Sequence, residues 1–263
     1  MTVHSEKQTS RTADILRELR QAGSVTVESL SDKLGVSLAT VRRDLQEMES
    51  RGLLRRTHGG AIPIEPLFYE PFRHDHSFQD QLGRFADEKR RIALAAASLV
   101  SPGDTVAFTA GTTTTEVMRS LQGVSGISVV TNTVNVAMEL SARKDIDVFV
   151  TGGHLRGDWF SLVGPAATAN VRGLFIDVMF IGVNGIHAER GLTCINPDEA
   201  DINRAMVQQA KRKIAVTDHS KLGTITKWLI CPSEAIELLI TDNGASDQMI
   251  APFLERGIKV SRV

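Results

Sequence analysis

The chain has 263 residues, room for one large or two smaller domains, and 42% of them are hydrophobic, enough for sizeable packed cores. Thirty basic side chains stand against 31 acidic ones, so net charge argues neither for nor against a nucleic-acid partner. Two distant cysteines, Cys194 and Cys231, make no disulfide framework or metal-ligand pattern and fit a reducing compartment. Residues 1–19 carry no apolar run of signal-peptide type. The longest nearly apolar stretch, Ile92 to Val100, is far too short to span a bilayer. The expectation is a soluble cytoplasmic protein with no membrane partner, no metal site and no cofactor.

The first sixty residues hold two more basic than acidic side chains and read as short helices. Ile15, Leu16 and Leu19 share one face of a first helix, which Gly23 interrupts. Val27, Leu30 and Leu34 mark a second helix, with Gly35 where a helix C-terminus favours glycine. Ser37 is a good N-cap for a third. There Leu38, Val41, Leu45 and Met48 form an inward stripe at helical spacing. Ala39, Thr40, Arg43 and Gln46 then face outward, with Arg42 at the edge.

Two short helices, a tight glycine turn and a third helix make a helix-turn-helix pattern, whose third helix enters the major groove. Arg forks onto guanine O6 and N7, while Ser and Thr reach bases or phosphates. Gly52 ends the third helix. The segment that follows, Arg55-Arg56-Thr57-His58-Gly59-Gly60, suggests a hairpin wing with two arginines for the backbone or a narrow minor groove. A helical protein-interaction module with a solvated basic edge is the competing reading of this spacing.

Residues 62–88 change character. Pro63, Pro66 and Pro71 break regular structure, and Phe68, Tyr69 and Phe72 are interleaved with charge. This is an expected connector between a head, 1–61, and a body, 89–263.

In the body, β-branched runs recur at TVAF (105–108), ISVVTN (127–132), DVFVTGG (147–153), DVMFIGV (177–183), KIAVTD (213–218), IELLITD (236–242) and IKVSRV (258–263). Helical patterns lie between them, as at Val134 to Ala142 and Asp198 to Lys211. Strand–helix alternation predicts an α/β domain with parallel strands covered by helices. Ligand sites in such sheets lie beyond the carboxyl ends of the strands.

The stretch Ala110-Gly111-Thr112-Thr113-Thr114-Thr115-Glu116 stands at one such end. Glycine allows a tight turn, and the first N–H groups of the following helix are unpaired in a favourable dipole. That arrangement holds phosphate without charged side chains, and threonine hydroxyls add donors. An ordinary N-cap with redundant threonines is the alternative. There is no Gly-Lys-Ser/Thr of a P-loop, which argues against ATP. Other strand ends offer Thr131-Asn132, Gly152-Gly153 with Arg156, and Lys221. Glu199 follows Asn196-Pro197, where capping a helix competes with touching a ligand.

Gly23 to Ala61 resembles the head of the DeoR family of bacterial transcription regulators. The resemblance rests on Val36-Ser37, Thr40-Val41-Arg42-Arg43-Asp44-Leu45, Gly52 and His58-Gly59-Gly60-Ala61. It implies a winged helix-turn-helix with Ser37, Thr40, Arg42 and Arg43 on DNA. Ala39, Arg55, Arg56 and His58 complete the expected interface, and Asp44 pairs with a neighbouring Arg to orient it. The body resembles the family's effector domain through the Gly-Thr-Thr loop, the Thr-Asn and Thr-Gly-Gly strand ends, Phe180-x-Gly182-x-x-Gly185 and Asp218-x-Ser220-Lys221. This implies a doubly wound α/β fold related to ribose-5-phosphate isomerase and coenzyme A transferases. It also implies a phosphorylated-sugar effector that modulates DNA affinity. The expected effector residues are Gly111, Thr112, Thr113, Thr114, Thr131, Asn132, Gly152, Gly153, Arg156, Glu199 and Lys221. Many members carry Asp-Ser before the Gly-Thr-Thr, where this chain has Thr109-Ala110.

Isomerases of that fold place acids in the loop after the strand matching DVMFIGV, but here it reads Asn184-Gly185-Ile186-His187. No catalytic residue is therefore assigned, although Glu189, Glu199 and His187 lie near in sequence. The expectation is a repressor of a sugar-metabolism operon, acting as a dimer or tetramer on operator DNA. The alternatives are a sugar-phosphate isomerase or deaminase with a DNA-binding head, and a protein-interaction scaffold.

Overall fold

The computed structural model divides the chain into two compact units, Met1–Phe72 and Arg73–Val263. It describes residues 11–12, 14–19, 22–50, 54–57, 59–63, 81, 83–121 and 123–263. His58, Gly52 and the connector aromatics Phe68, Tyr69 and Phe72 lie outside the described residues.

In the first unit, helical residues 14–19 (α1) precede α2 (Val27–Leu34) and α3 (Leu38–Ser50). Thr26 caps α2 through a reciprocal pair: its hydroxyl accepts the Ser29 N–H at 3.1 Å, and the Ser29 hydroxyl accepts the Thr26 N–H at 3.3 Å. Gly35 ends α2 in the left-handed region at φ 64°. Ser37 starts α3, its Oγ accepting the Thr40 N–H at 3.2 Å. Strands β1 (Val25–Thr26), β2 (Leu54–Thr57) and β3 (Gly60–Pro63) form an antiparallel sheet in the order β1-β3-β2, with β2 and β3 as the wing hairpin.

Ile15, Leu19, Leu30, Val41, Leu45, Met48 and Leu54 pack into one buried core. Each such side chain contributes about 1.5–3 kcal/mol by leaving water. Leu38 departs from the expected inward stripe and is 40% exposed. The packed stripe begins one turn later, at Val41. The first turn of α3 therefore projects beyond the core, as a helix end must if it is to enter a groove.

The second unit is built on a seven-stranded sheet: β4 (Thr105–Phe108), β5 (Ser128–Thr131), β6 (Asp147–Val150), β9 (Ile176–Ile181), β12 (Ala210–Val216), β14 (Leu238–Thr241) and β15 (Lys259–Arg262). All are parallel, in the order β15-β14-β12-β9-β4-β5-β6. These are the seven runs legible in the sequence. The chain winds outward from β4 to β6, returns to β9, then winds the other way, so the fold is doubly wound with its switch point between β4 and β9.

Val106 and Phe108 of β4 face a core shared with α4 (Ala86–Ala97), α5 (Thr112–Ser120) and α6 (Val134–Leu140). Ala107 faces the opposite core, shared with α7 (Pro165–Asn170), α8 (Pro197–Gln209) and α9 (Asp247–Glu255). Side chains alternating across each strand give the sheet two buried faces.

Two smaller sheets are not announced by the pattern: the hairpin β7 (His154–Arg156) with β8 (Ser161–Val163), and β10 (Gly185–His187), β11 (Gly191–Cys194) and β13 (Trp228–Cys231). Their strands hold three or four residues, too few for a period to show. Among the described residues no helix is long and apolar enough to cross a membrane.

Candidate functional site

Two surfaces carry chemistry, one in each unit. In the first, Ser37, Ala39, Arg42 and Arg43 are exposed at the start of α3, with Thr40 half-buried. Arg55 and Arg56 are exposed on β2, the backbone N–H of Arg56 donating to Glu49 Oε1 at 2.9 Å. Among the described residues none of these four guanidinium groups is held in an ion pair. The Ser37 and Thr40 hydroxyls lie 2.9 Å apart.

Asp44 corrects an expectation. It does not orient Arg42 or Arg43 but takes a two-point contact from Arg11, Nε to Oδ2 at 2.8 Å and Nη2 to Oδ1 at 3.2 Å. Its carboxylate is nearly buried and Arg11 lies on the preceding helical segment, so the pair ties α3 to the rest of the head.

In the second unit, the carboxyl ends of β4 and β9 open onto a cavity of about 280 Å³. Gly111, at φ 154° and ψ 153°, starts α5 from a backbone region that only glycine enters readily, and it provides no side-chain cap. The first intrahelical bond runs from the Thr115 N–H to the Gly111 carbonyl at 3.1 Å. The N–H groups of Thr112, Thr113 and Thr114 precede it and have no partner in the helix.

The four threonines divide their work. Thr114 Oγ1 donates to the Thr109 carbonyl at 2.7 Å and lies 2.9 Å from that of Gly111. Thr115 Oγ1 donates to the Gly111 carbonyl at 2.8 Å and accepts from Asn135 Nδ2 at 3.0 Å. Thr112 and Thr113 line the cavity, and among the described residues their hydroxyls have no hydrogen-bond partner. The stretch thus divides, its second half fixing the loop and its first half facing the cavity.

Opposite stand Lys89, Asn184, Glu199, Asn203, Asp218 and Lys221. Glu199 stands in the first turn of α8 and also faces the cavity. Its N–H is capped by Asn196 Oδ1 at 3.0 Å, and its carboxylate lines the cavity. That carboxylate accepts from Ser161 Oγ at 2.8 Å and Arg156 Nη1 at 3.1 Å. Asp218 Oδ1 accepts the Ser220 N–H at 3.0 Å and also the Ser220 hydroxyl. Asn203 is 95% buried, and its Oδ1 has no partner among the described residues. A buried polar atom without a partner at a cavity wall is one that a ligand can satisfy.

Of the expected effector residues, Gly111, Thr112, Thr113, Glu199 and Lys221 line this cavity. Thr114 is committed to the loop, as above. Thr131 is fully buried against the Phe108 carbonyl and Thr133 Oγ1, and Asn132 Nδ2 reaches the Leu162 carbonyl. Arg156 approaches through Glu199, as its holder. Gly153 answers to packing: a Cβ there would lie 2.6 Å from the Val163 carbonyl and 2.8 Å from Ala167. Gly152 is in the left-handed region at φ 65°, beside that packing contact.

His187 turns its Nδ1 to the Glu189 N–H at 3.1 Å and does not line the cavity. The sequence reading missed Lys89, Trp159, Asn203 and Thr217, and it placed Asp218 in a motif without assigning it a contact. Lys89 is 2% exposed, and burial pushes its amine down to about 8.

Residues 11–66 match the family model described as the DeoR-like helix-turn-helix domain, and residues 84–243 match the DeoR C terminal sensor domain. The "Putative aga operon transcriptional repressor" of Escherichia coli O157:H7 is 35% identical over 95% of this chain and 92% of its own length. The "HTH-type transcriptional regulator GlpR" of Haloferax volcanii is 42% identical over 82% of this chain and 83% of its own. Among solved structures, ribose 5-phosphate isomerase A of Neisseria gonorrhoeae aligns with 58% of this chain and 56% of its own, at 16% identity and a TM-score of 0.37.

Proposed function

We propose, for a chain that belongs to the DeoR family of transcription regulators, that it represses a sugar-metabolism operon and is controlled by a phosphorylated sugar held in the cavity of the second unit. The observation that carries this is the composition of that cavity. The α5 N-terminus, two free threonine hydroxyls and the cations Lys89 and Lys221 suit a phosphate. The carboxylates of Glu199 and Asp218 and the amides of Asn184 and Asn203 suit sugar hydroxyls. The "Putative aga operon transcriptional repressor" among its relatives is consistent with repression of an operon.

The cavity is a sensor and not a catalytic centre. Aldose–ketose chemistry needs a base at carbon and an acid at the carbonyl. Here the loop after β9 offers Asn184, and Glu199 is held by Arg156 and Ser161. A fold shared with enzymes does not confer their activity.

On the DNA side, Ser37, Ala39, Thr40, Arg42 and Arg43 read the major groove and Arg55, Arg56 and His58 contact the flanking backbone. One short recognition helix discriminates poorly, so the chain acts as a homo-oligomer with heads on half-sites about 34–36 Å apart. Effector and operator then alter each other's affinity by the same factor. Calorimetric titration of phosphorylated sugars and their unphosphorylated forms tests the ligand assignment. Binding of a phosphorylated form alone, without turnover, supports it. Equal binding of both forms, or turnover abolished by Glu199→Gln, contradicts it.

A further inference from the structure

Lys89 is the least expected member of the cavity wall. It stands in the first turn of α4 and is 2% exposed. Lysine is rarely buried unless paired. Among the described residues no carboxylate reaches it at ion-pair distance, and its hydrogen bond goes to a neutral acceptor, the backbone carbonyl of Gln81. Asp218 and Glu116 act on it from further away, and Lys221 and Arg84 oppose them. A buried ammonium costs free energy that a neutral carbonyl does not repay. Two lysines facing one cavity offer the charge to hold an anion between them.

Gln81 is the second half of the observation. It lines the same cavity, and the chain N-terminal to it is the segment that leads from the DNA-binding unit. A second contact reinforces the first. Phe85 starts α4 from the left-handed region at φ 55°, and its ring meets His219 edge-on with centroids 4.9 Å apart. His219 is fixed by Asp242, which accepts its backbone N–H at 2.7 Å and lies 2.7 Å from its Nδ1. His219 also shares the short turn His219–Lys221 with the other cavity lysine. The entering segment thus reaches the cavity wall at Gln81, through Lys89, and packs at Phe85 on His219, in the turn that also carries Lys221.

We propose, resting on the phosphate-ligand reading above, that Lys89 is an anion-binding residue of this cavity and that its ammonium bridges the ligand to the Gln81 carbonyl, so that occupancy tightens the segment Gln81–Lys89. An ammonium has three N–H donors, enough for the carbonyl and for an anion. A bound anion favours its charged form and with it the hold on Gln81. Burial lowers the basicity of Lys89, and an anion within hydrogen-bond reach of its ammonium would oppose that shift.

The test uses the full chain with inorganic phosphate as the probe and chloride at equal ionic strength as the control. Trp159 lines the cavity, so its fluorescence, in a Trp228→Phe background, reports binding. Hydrogen–deuterium exchange of the peptide spanning 81–89 reports the segment. Phosphate is expected to quench or shift the Trp159 signal and to slow exchange of that peptide. Lys89→Met should weaken phosphate about tenfold or more, the loss expected of a charge-assisted contact, and abolish the slowing. Lys89→Arg should keep both, and it carries the test if the Met variant does not fold. Thr113→Val at saturating phosphate should bind more weakly yet still slow the peptide, which separates coupling from affinity. A Lys89→Met protein that binds phosphate as tightly as the parent, or whose segment still responds, overturns the proposal. If the parent binds no phosphate while its fold is intact, the cavity reading itself fails and takes this inference with it.

Discussion

Thr109 Oγ1 accepts the backbone N–H of Gly182 at 2.9 Å, joining the ends of β4 and β9 across a separation of 73 residues. The bond lies at the switch point of the sheet and holds together the two loops that open the cavity. Thr109 is fully buried, so its hydroxyl is a structural tie at the position where the resemblance led one to look for a carboxylate. The carboxylates that face the cavity come from elsewhere, at Glu199 and Asp218.

Thr109→Val keeps the shape and removes the acceptor. It leaves the Gly182 N–H without its partner, at a cost of about 1–3 kcal/mol. Thermal unfolding should shift down by roughly 2–4 °C per kcal/mol for a domain of this size. An unchanged melting temperature would mean that the loops are held by other contacts.

Thr113→Val should reduce affinity for a phosphorylated sugar by about tenfold, as a neutral donor is lost from a charged ligand, and leave operator affinity without ligand unchanged. Titration calorimetry and DNA binding on the same preparation check both halves. Loss of DNA binding together with ligand binding would make Thr113 structural.

Arg43→Ala should weaken operator binding by about 1–3 kcal/mol and relax preference at one base position, as expected for a guanidinium forked onto guanine. Arg55→Ala with Arg56→Ala should instead weaken all DNA sequences alike and flatten the salt dependence, because phosphate contacts release counterions. Anisotropy over a salt series with operator and scrambled DNA separates the two behaviours.

Phosphate binding should fall as pH rises through about 8. The binding form of Lys89 is the cation, and burial lowers its amine from 10.5 to about 8, so the proton is lost within the accessible range. The groups facing it are Asp218 and Lys221 after β12, Glu116 on α5 and Arg84 before α4. Phosphate is predominantly the dianion above neutrality, so its own titration does not produce the fall. Lys89→Met should flatten the profile across this window. A parent profile as flat as the variant's would show that Lys89 does not carry the dependence.

Much of the frame was legible because it obeys local rules. Seven apolar runs with turn residues at their ends gave seven parallel strands, and Ser37 and Gly35 fell where caps belong. The placing of Gly111–Thr113 at a helix start beyond a strand end was legible because loop chemistry follows from residue type. What escaped depends on tertiary contacts. Lys89 lies in Ala86-Asp87-Glu88-Lys89-Arg90-Arg91, a run with the charge of any solvated first turn, and only the packed fold buries it. Thr131 and Asn132 were placed correctly at a strand end, but the pleat and the β8 hairpin turn them into packing. Asp44 found Arg11, 33 residues away, where neighbouring arginines suggested a local pair.

The central claim is that one cavity in the second unit senses a phosphorylated sugar and alters DNA binding by the first. The most direct test is fluorescence anisotropy of the full chain on DNA from upstream of its own gene, titrated with phosphorylated sugars and with their unphosphorylated counterparts. The account predicts that one phosphorylated sugar shifts operator affinity, that its unphosphorylated form does not, and that Thr113→Val blunts the shift. Operator binding indifferent to every phosphorylated sugar, or shifted equally by the unphosphorylated forms, would contradict it.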